Sequence, residues 1–330
     1  MSDVFKQYIK AIGRGQRSGR YLTEEEAFDA MRLIMQQQVT PEQLGAFLML
    51  LRVREEHQDE LAGFVKAIRQ ATRPDIQNLD CIDIDFGCYA GKRRHLPWFV
   101  LAIKVLAENG YRVLMHGTQE PESERLYLKQ VFQHFNWPIA KDAKDISEHI
   151  QCCNLAYIDL ADINTELDKL IQMRSLFGLR SAANSLARML NPSRAKYSFH
   201  GVFHRDFDAR HIQVAALLGD QNVACIRGEG GEVEVNPERE VAIHLNRQDV
   251  VEPVVLPNLL ESRQIKPREL DLDQLKLFWQ EQLDDKQATY ARAAVIGSLS
   301  AYLVLLEALS PVQACTRAEQ LWAQRNRNVF

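Results

Sequence analysis

The segment Phe86-Gly87-Cys88-Tyr89-Ala90-Gly91-Lys92-Arg93-Arg94-His95 sets a tyrosine between two glycines and three consecutive cations directly after them. Clustered guanidinium and ammonium groups attract phosphate by releasing its counterions, and a neighbouring aromatic ring can stack a base. Two readings stand open. Lys92, Arg93 and Arg94 contact a phosphate backbone with Tyr89 as aromatic platform, or the run is a solvated cationic face. The stretch Gly13-Arg14-Gly15-Gln16-Arg17-Ser18-Gly19-Arg20 offers Arg14, Arg17 and Arg20 either as a phosphate-contacting strap or as a solvated connection. Arg174 and Arg180 precede Ser181-Ala182-Ala183-Asn184, and a guanidinium fork pairs two oxygens of a carboxylate or phosphate at once. Arg205, Arg210 and His211 follow an apolar run ending at Phe203, and Arg188, Arg194 and Lys196 surround Asn191-Pro192.

Between Arg227 and Pro237 the chain carries Glu229, Glu232 and Glu234, hard oxygen ligands of the kind magnesium prefers. The histidines form no catalytic constellation: His200 and His204 flank Gly201, and i, i+4 spacing on a strand does not bring two side chains to one metal. No Gly-x-Ser-x-Gly or Walker sequence occurs, and no Cys-x-x-Cys pair. The six cysteines, with Cys152 and Cys153 adjacent, suggest buried thiols in a reducing compartment.

These residues need a scaffold. At 330 residues the chain exceeds the usual span of one hydrophobic core, and 46% apolar with 25% charged residues is ordinary for a globular protein. A net charge of −4 excludes a globally basic protein, so any nucleic-acid role must rest on a local patch. Met1 to Lys6 show no apolar leader, and the longest apolar stretch, Ala301 to Leu306, falls short of the roughly 20 residues of a membrane span. A soluble cytoplasmic protein is expected.

The first seventy residues read as four amphipathic helices. Thr23-Glu24-Glu25-Glu26 is a capping box and Thr40-Pro41 opens another helix. A helix from about 58 to 70 ends before a linker at Arg73-Pro74-Asp75. Ile82, Ile84 and Phe86 then alternate with Asp83 and Asp85, predicting a strand. A helix from about 97 to 109 and a strand 111–116 complete a βαβ unit. Helices are expected near 123–135, 164–191 and 206–219, and strands at 155–160, 197–203 and 223–227. Three helices, near 272–284, 288–309 and 311–324, close the chain. The fold class is α/β, a small helical bundle over residues 1–73 and a larger domain over 74–330 with a mixed, largely parallel sheet. The helices around 164–191 are candidates to pack with the bundle.

Leu22-Thr23-Glu24-Glu25-Glu26-Ala27, Val39-Thr40-Pro41-Glu42-Gln43-Leu44-Gly45-Ala46-Phe47-Leu48 and Glu60-Leu61-Ala62-Gly63-Phe64 resemble the helical amino-terminal domain of glycosyltransferase family 3, which contains anthranilate phosphoribosyltransferase. The resemblance implies where that chemistry would lie. Gly87 and Gly91 stand where catalytic relatives have Gly-Thr-Gly-Gly-Asp around the pyrophosphate. His116 and Gly117 persist from Lys-His-Gly-Asn-Arg, with Met115 for the lysine, Gln119 for the arginine, and Glu120 and Glu122 added. Arg180 and Asn184 match the acceptor region, Arg180 being the arginine that meets the acceptor's carboxylate. Glu234 survives from the metal-binding Asp-Glu pair, with Val233 in the aspartate's place.

The pattern from Tyr89 to Leu96, with His116-Gly117, Gly228-x-x-Gly231-Glu232-Val233 and Asn236-Pro237, is similar to the YbiB branch of bacterial proteins. That resemblance implies a homodimer, formed through the helical domain, that binds DNA and RNA with little sequence preference and needs no cofactor. The groove would be built from Tyr89, Lys92, Arg93, Arg94, Arg174, Arg180, Arg205 and Arg210, with Arg14, Arg17 and Arg20 as a strap. No residue is assigned a catalytic role. The alternative is an active phosphoribosyl or glycosyl transferase with an altered substrate, for which Mg2+ at Glu234 would be the cofactor.

Overall fold

Local chemistry starts the helices of the bundle. Thr23 Oγ1 accepts the amide of Glu26 (3.2 Å) while Glu26 Oε2 accepts that of Thr23 (3.0 Å), opening the helix Glu24–Met35. Thr40 and Gln43 repeat the device before Pro41–Arg54. Such reciprocal caps satisfy donors that a helix start leaves open. With Ser2–Gly13 and Gln58–Gln70 these helices close around Phe5, Phe47 and Phe64. The expected linker at Arg73-Pro74-Asp75 is the start of a short helix, Pro74–Gln77, because proline at the first helical position gives up only an amide without a partner. The computed structural model describes the chain apart from Met1, Gln16, Arg17, Glu122, Asp249, Lys266 and Arg268, and the side chains of Ser2 and Gln287.

Among the described residues seven strands form one sheet: β1 Ile84–Cys88, β2 Val113–Gly117, β3 Leu155–Asp159, β4 Tyr197–Val202, β5 Asn222–Arg227, β6 Val241–Arg247 and β7 Val250–Leu256. Their order is β3-β2-β1-β4-β5-β6-β7. The first five run parallel and β6 is antiparallel to both its neighbours. The β6–β7 hairpin goes beyond the expected elements. β7 is an edge strand with Val250, Val251 and Val255 turned to solvent and Pro253 within it, so its sequence lacks a strand's usual alternation. The helix Ala143–Cys153, capped by Asp142, was also not expected; only Ile146 and Ile150 of it are buried. The helix expected near 123–135 begins at Leu128, because Leu126 is held extended by a two-way backbone bridge to Lys92 (2.8 Å each way).

One face of the sheet packs on the helix Asp285–Leu306, whose Tyr302 meets Phe86 and Phe199. By length and composition Ala288–Leu306 could cross a membrane, but 83% of that window is buried inside the fold and it serves as a core helix. On the other face, one apolar cluster joins the bundle to the helices Thr165–Gln172 and Ala183–Arg188. Arg69 fastens the two parts, donating to Asp220 (2.6 and 2.9 Å) and to the carbonyls of Met189 and Leu190. The thiols are not uniformly buried as expected: Cys88 and Cys225 are, whereas Cys152 and Cys153 are exposed where Ala143–Cys153 ends.

Candidate functional site

The carboxyl ends of β1, β2, β4 and β5 share one edge, the place where parallel α/β sheets position ligands. After β1 the chain turns inward. Tyr89 is 1% exposed, with its Oη 2.5 Å from His116 Nδ1, so it is no platform for a ligand. Lys92 is also internal. In extended backbone successive side chains point to opposite faces, and at the Leu126 bridge Lys92 faces the interior while Arg93 faces water. Lys92 Nζ donates to Glu234 Oε1 at 2.6 Å, with both side chains almost fully buried. The amide of Phe99, at the start of the helix Phe99–Glu108, donates to Glu234 Oε2 at 2.9 Å. His95 is likewise buried, stacked on Tyr290 at 4.0 Å.

Two more carboxylates reach into this edge. Glu232 Oε1 accepts the amides of Ala90 (2.8 Å) and Gly91 (2.5 Å). Gly91 is left-handed (φ 68°), and a Cβ there would stand 2.9 Å from the Tyr127 ring, which is why glycine closes this turn. Burial pushes the Glu232 carboxyl up, against Arg188 and those two amides, and pushes Glu234 up against Lys92 and Phe99. Glu120, on the loop after β2, accepts from Arg174 Nη1, from Arg180 Nη2 (2.8 Å) and Nε (3.1 Å), from Asn184 Nδ2 (2.6 Å) and from Tyr127 Oη (3.2 Å). Burial alone would raise this carboxyl, but Arg180 and Arg174 outweigh it and hold it below the usual range. Arg174 and Arg180, themselves half-buried, are therefore already paired with Glu120 rather than free cations.

The same residues test the magnesium site. Both Glu234 oxygens are engaged, Val233 is buried, Glu232 Oε1 is bound by backbone amides, which leaves its buried Oε2 as a lone oxygen unpartnered among the described residues, and Glu229 Oε2 accepts from Asn236 Nδ2 at 3.0 Å. Among the described residues no group of three or more His, Cys, Asp or Glu side chains could hold an ion. Magnesium needs near-octahedral oxygen ligation, and this donor set does not fit it.

Beneath the loops runs a hydrogen-bonded chain absent from the sequence reading, in which the histidines formed no constellation. Asp85 on β1 meets His116 Nε2 (2.9 Å) and the Ser198 hydroxyl (3.0 Å). Ser198 lies 3.2 Å from His200 Nε2, and His200 Nδ1 lies 3.4 Å from His211 Nδ1. With Asp85 accepting, His116 donates from Nε2, and its Nδ1 faces the Tyr89 hydroxyl. Burial lowers His200 to about 4 and His211 well below its ordinary value, so both rings are neutral links. The chain is sealed and ties β1, β2 and β4 together.

Outside the filled positions lies a cleft of about 410 Å³. Its walls carry Arg93, Arg94, Arg125, Arg239 and Arg263 with Phe203, against Glu229 and Glu238. Arg125 braces the floor by donating to the carbonyls of Ala90 and Gly91 (3.1 Å each). Arg93 makes one loose pair with the exposed Glu124 (3.7 Å). Arg94, Arg239 and Arg263 are exposed and make no ion pair among the described residues. Three of the five arginines come singly from separate loops, which is why no local sequence signal marked them.

Residues 6–72 match the glycosyl transferase family, helical bundle domain. An anthranilate phosphoribosyltransferase of Methylocella silvestris is 28% identical over 216 residues, 65% of this chain and 61% of that protein. One from Bacillus cereus is 22% identical over 254 residues, 76% and 74% of the two chains. The crystal structure of anthranilate phosphoribosyltransferase from Thermus thermophilus superposes with a TM-score of 0.76 at 20% identity, covering 97% of this chain and 94% of that one. The Saccharomyces cerevisiae enzyme in complex with PRPP and Mg gives 0.77 at 13% identity, covering 98% and 94%. The chain has the anthranilate phosphoribosyltransferase fold.

On that phosphoribosyltransferase-like scaffold the sequence candidates separate into two sets. Gly87, Gly91, His116, Gly117, Arg180 and Asn184 are gathered at the carboxyl edge and turned to internal packing and hydrogen bonding, as are Tyr89, Lys92, Arg174 and Glu234. Arg93 and Arg94 line the open cleft. Arg205 is exposed just past Phe203, and Arg210 sits over the Phe207 ring at 4.8 Å with Glu55 at 3.5 Å. Of the strap, Arg14 is exposed on the bundle, Arg20 is held bidentate by Glu26 (2.6 Å twice), and Arg17 lies outside the described residues.

Proposed function

We propose that this protein binds DNA and RNA with little sequence preference, on a phosphoribosyltransferase-like scaffold whose substrate positions are filled by its own carboxylates. One observation carries the reading: cations inside the edge have internal partners, whereas Arg94, Arg239 and Arg263 face solvent in one cleft without an acidic partner among the described residues. Phosphate contacts of this kind release counterions, and affinity then falls as a power of salt concentration. Fluorescence anisotropy with labelled oligonucleotides should show micromolar or tighter binding at about 50 mM salt that weakens steeply by about 200 mM. Absence of binding at low salt would end this reading.

A second reading is the one the comparisons favour, a transferase acting on an altered substrate, because the fold covers nearly the whole of catalytic relatives. It predicts pyrophosphate release from phosphoribosyl pyrophosphate with magnesium, lost in Arg180→Ala. The buried Lys92–Glu234 pair and the Glu232-filled amides count against it. We further propose a cytoplasmic homodimer joined through the helical bundle, which exposes Val4, Tyr21 and Val53, the last at 86%. Light scattering that gives a monomer mass would contradict the dimer.

A further inference from the structure

Among the described residues the cleft has one large exposed apolar side chain, Phe203, 64% exposed on the loop that leaves β4. A single exposed ring is ordinary on a protein surface, so its setting decides. Gly231 backs it, since a Cβ there would stand 3.2 Å from the Phe203 Cβ. The ring lines the same cleft as Arg93, Arg94, Arg239 and Arg263. Outward from the cleft an aromatic and cationic succession continues. The Phe203 and His204 ring centres are 5.3 Å apart, Phe207 is 6.0 Å from His204, and Arg210 covers Phe207 at 4.8 Å. Exposed Arg205 lies between them, with Asp206 as the acidic counterweight.

Cations alone would hold any polyanion, duplex or not. A ring presented beside them adds something a duplex cannot use without unstacking, because its bases are already stacked and paired. A single strand has free base faces, and base–aromatic stacking tolerates any sequence. We propose that the cleft selects single-stranded nucleic acid, with one unpaired base stacked on Phe203 and the adjoining phosphates held by the arginines. This deepens the reading under Proposed function and rests on it.

The test compares wild type, Phe203→Ala, Phe203→Trp and Arg94→Ala/Arg239→Ala in the full-length protein. The probes are a labelled oligothymidine of about twelve nucleotides, within the ~4–16 span of single-strand sites, and a mixed-sequence duplex of equal length. Phe203→Ala should weaken single-strand binding about tenfold while duplex binding stays within about twofold and the salt slope is unchanged. Phe203→Trp should keep the affinity, with its tryptophan emission quenched by the single strand and not by the duplex. The arginine variant should weaken both probes. Equal effects of Phe203→Ala on the two probes, or none on either, would overturn the stacking proposal and leave nucleic-acid binding standing. Failure of wild type to bind either probe would overturn both.

Discussion

Two neighbouring regions of one sheet edge treat charge in opposite ways. In the inner region, Glu234 meets Lys92, Glu120 meets Arg174 and Arg180, and Glu232 meets the amides of Ala90 and Gly91, each carboxylate buried. In the outer cleft, arginines outnumber carboxylates and several face water without an acidic partner among the described residues. Buried charge is tolerated when it is paired or hydrogen-bonded, so the inner groups are committed to one another and to backbone amides rather than to a ligand. Exposed, uncompensated charge contributes little to folding and remains available to a ligand. A location at the carboxyl edge is thus not by itself a sign of function; the partner each cation already has decides.

The largest effect should come from breaking an inner pair. Lys92→Ala leaves Glu234 buried without its counter-ion and should cost about 3–5 kcal/mol in urea unfolding, whereas Lys92→Met/Glu234→Leu should recover much of that loss, short of the roughly 1–3 kcal/mol for the buried Phe99 amide it leaves without an acceptor. Glu120→Gln should cost about 2–3 kcal/mol at neutral pH, since Arg174 and Arg180 lose their anion. The sign with pH is fixed by the depressed Glu120 carboxyl. Its stabilisation is full above the unfolded value and lost as pH falls through the lower folded value. The gap between wild type and Glu120→Gln should therefore narrow in acid, and a gap that widened there would contradict the pairing. Tyr89→Phe removes one buried hydroxyl contact to His116 and should cost about 1 kcal/mol, with oligonucleotide affinity unchanged. A large loss of affinity would return Tyr89 to the interface. Smallest of all, Arg94→Ala/Arg239→Ala should leave the unfolding midpoint where it is.

The same contrast separates what the sequence discloses from what it conceals. Thr23 and Thr40 were legible because a cap and its partner lie three residues apart, and β1 was legible from the alternation of Ile84 and Phe86 with Asp83 and Asp85. The division within Lys92-Arg93-Arg94 was not. It depends on a bridge to Leu126 and on Glu234, 142 residues away, and neither leaves a mark in the run itself. Glu120 was legible as an anomaly, a negative charge where cations were expected, but not as the partner of Arg180, 60 residues on. Arg239 and Arg263 were invisible because each arrives alone and only the β6–β7 region and the loop after it bring them to the cleft.

The contrast between the two regions is tested most directly by the slope of log affinity against log salt for a single-stranded oligonucleotide. It should be measured side by side for wild type, Arg93→Ala/Arg94→Ala and Lys92→Met/Glu234→Leu. A slope lower by about two in the first variant and unchanged in the second is predicted, each phosphate contact contributing about one. Equal slopes in all three proteins, or a reduced slope only in the buried-pair variant, would contradict the account.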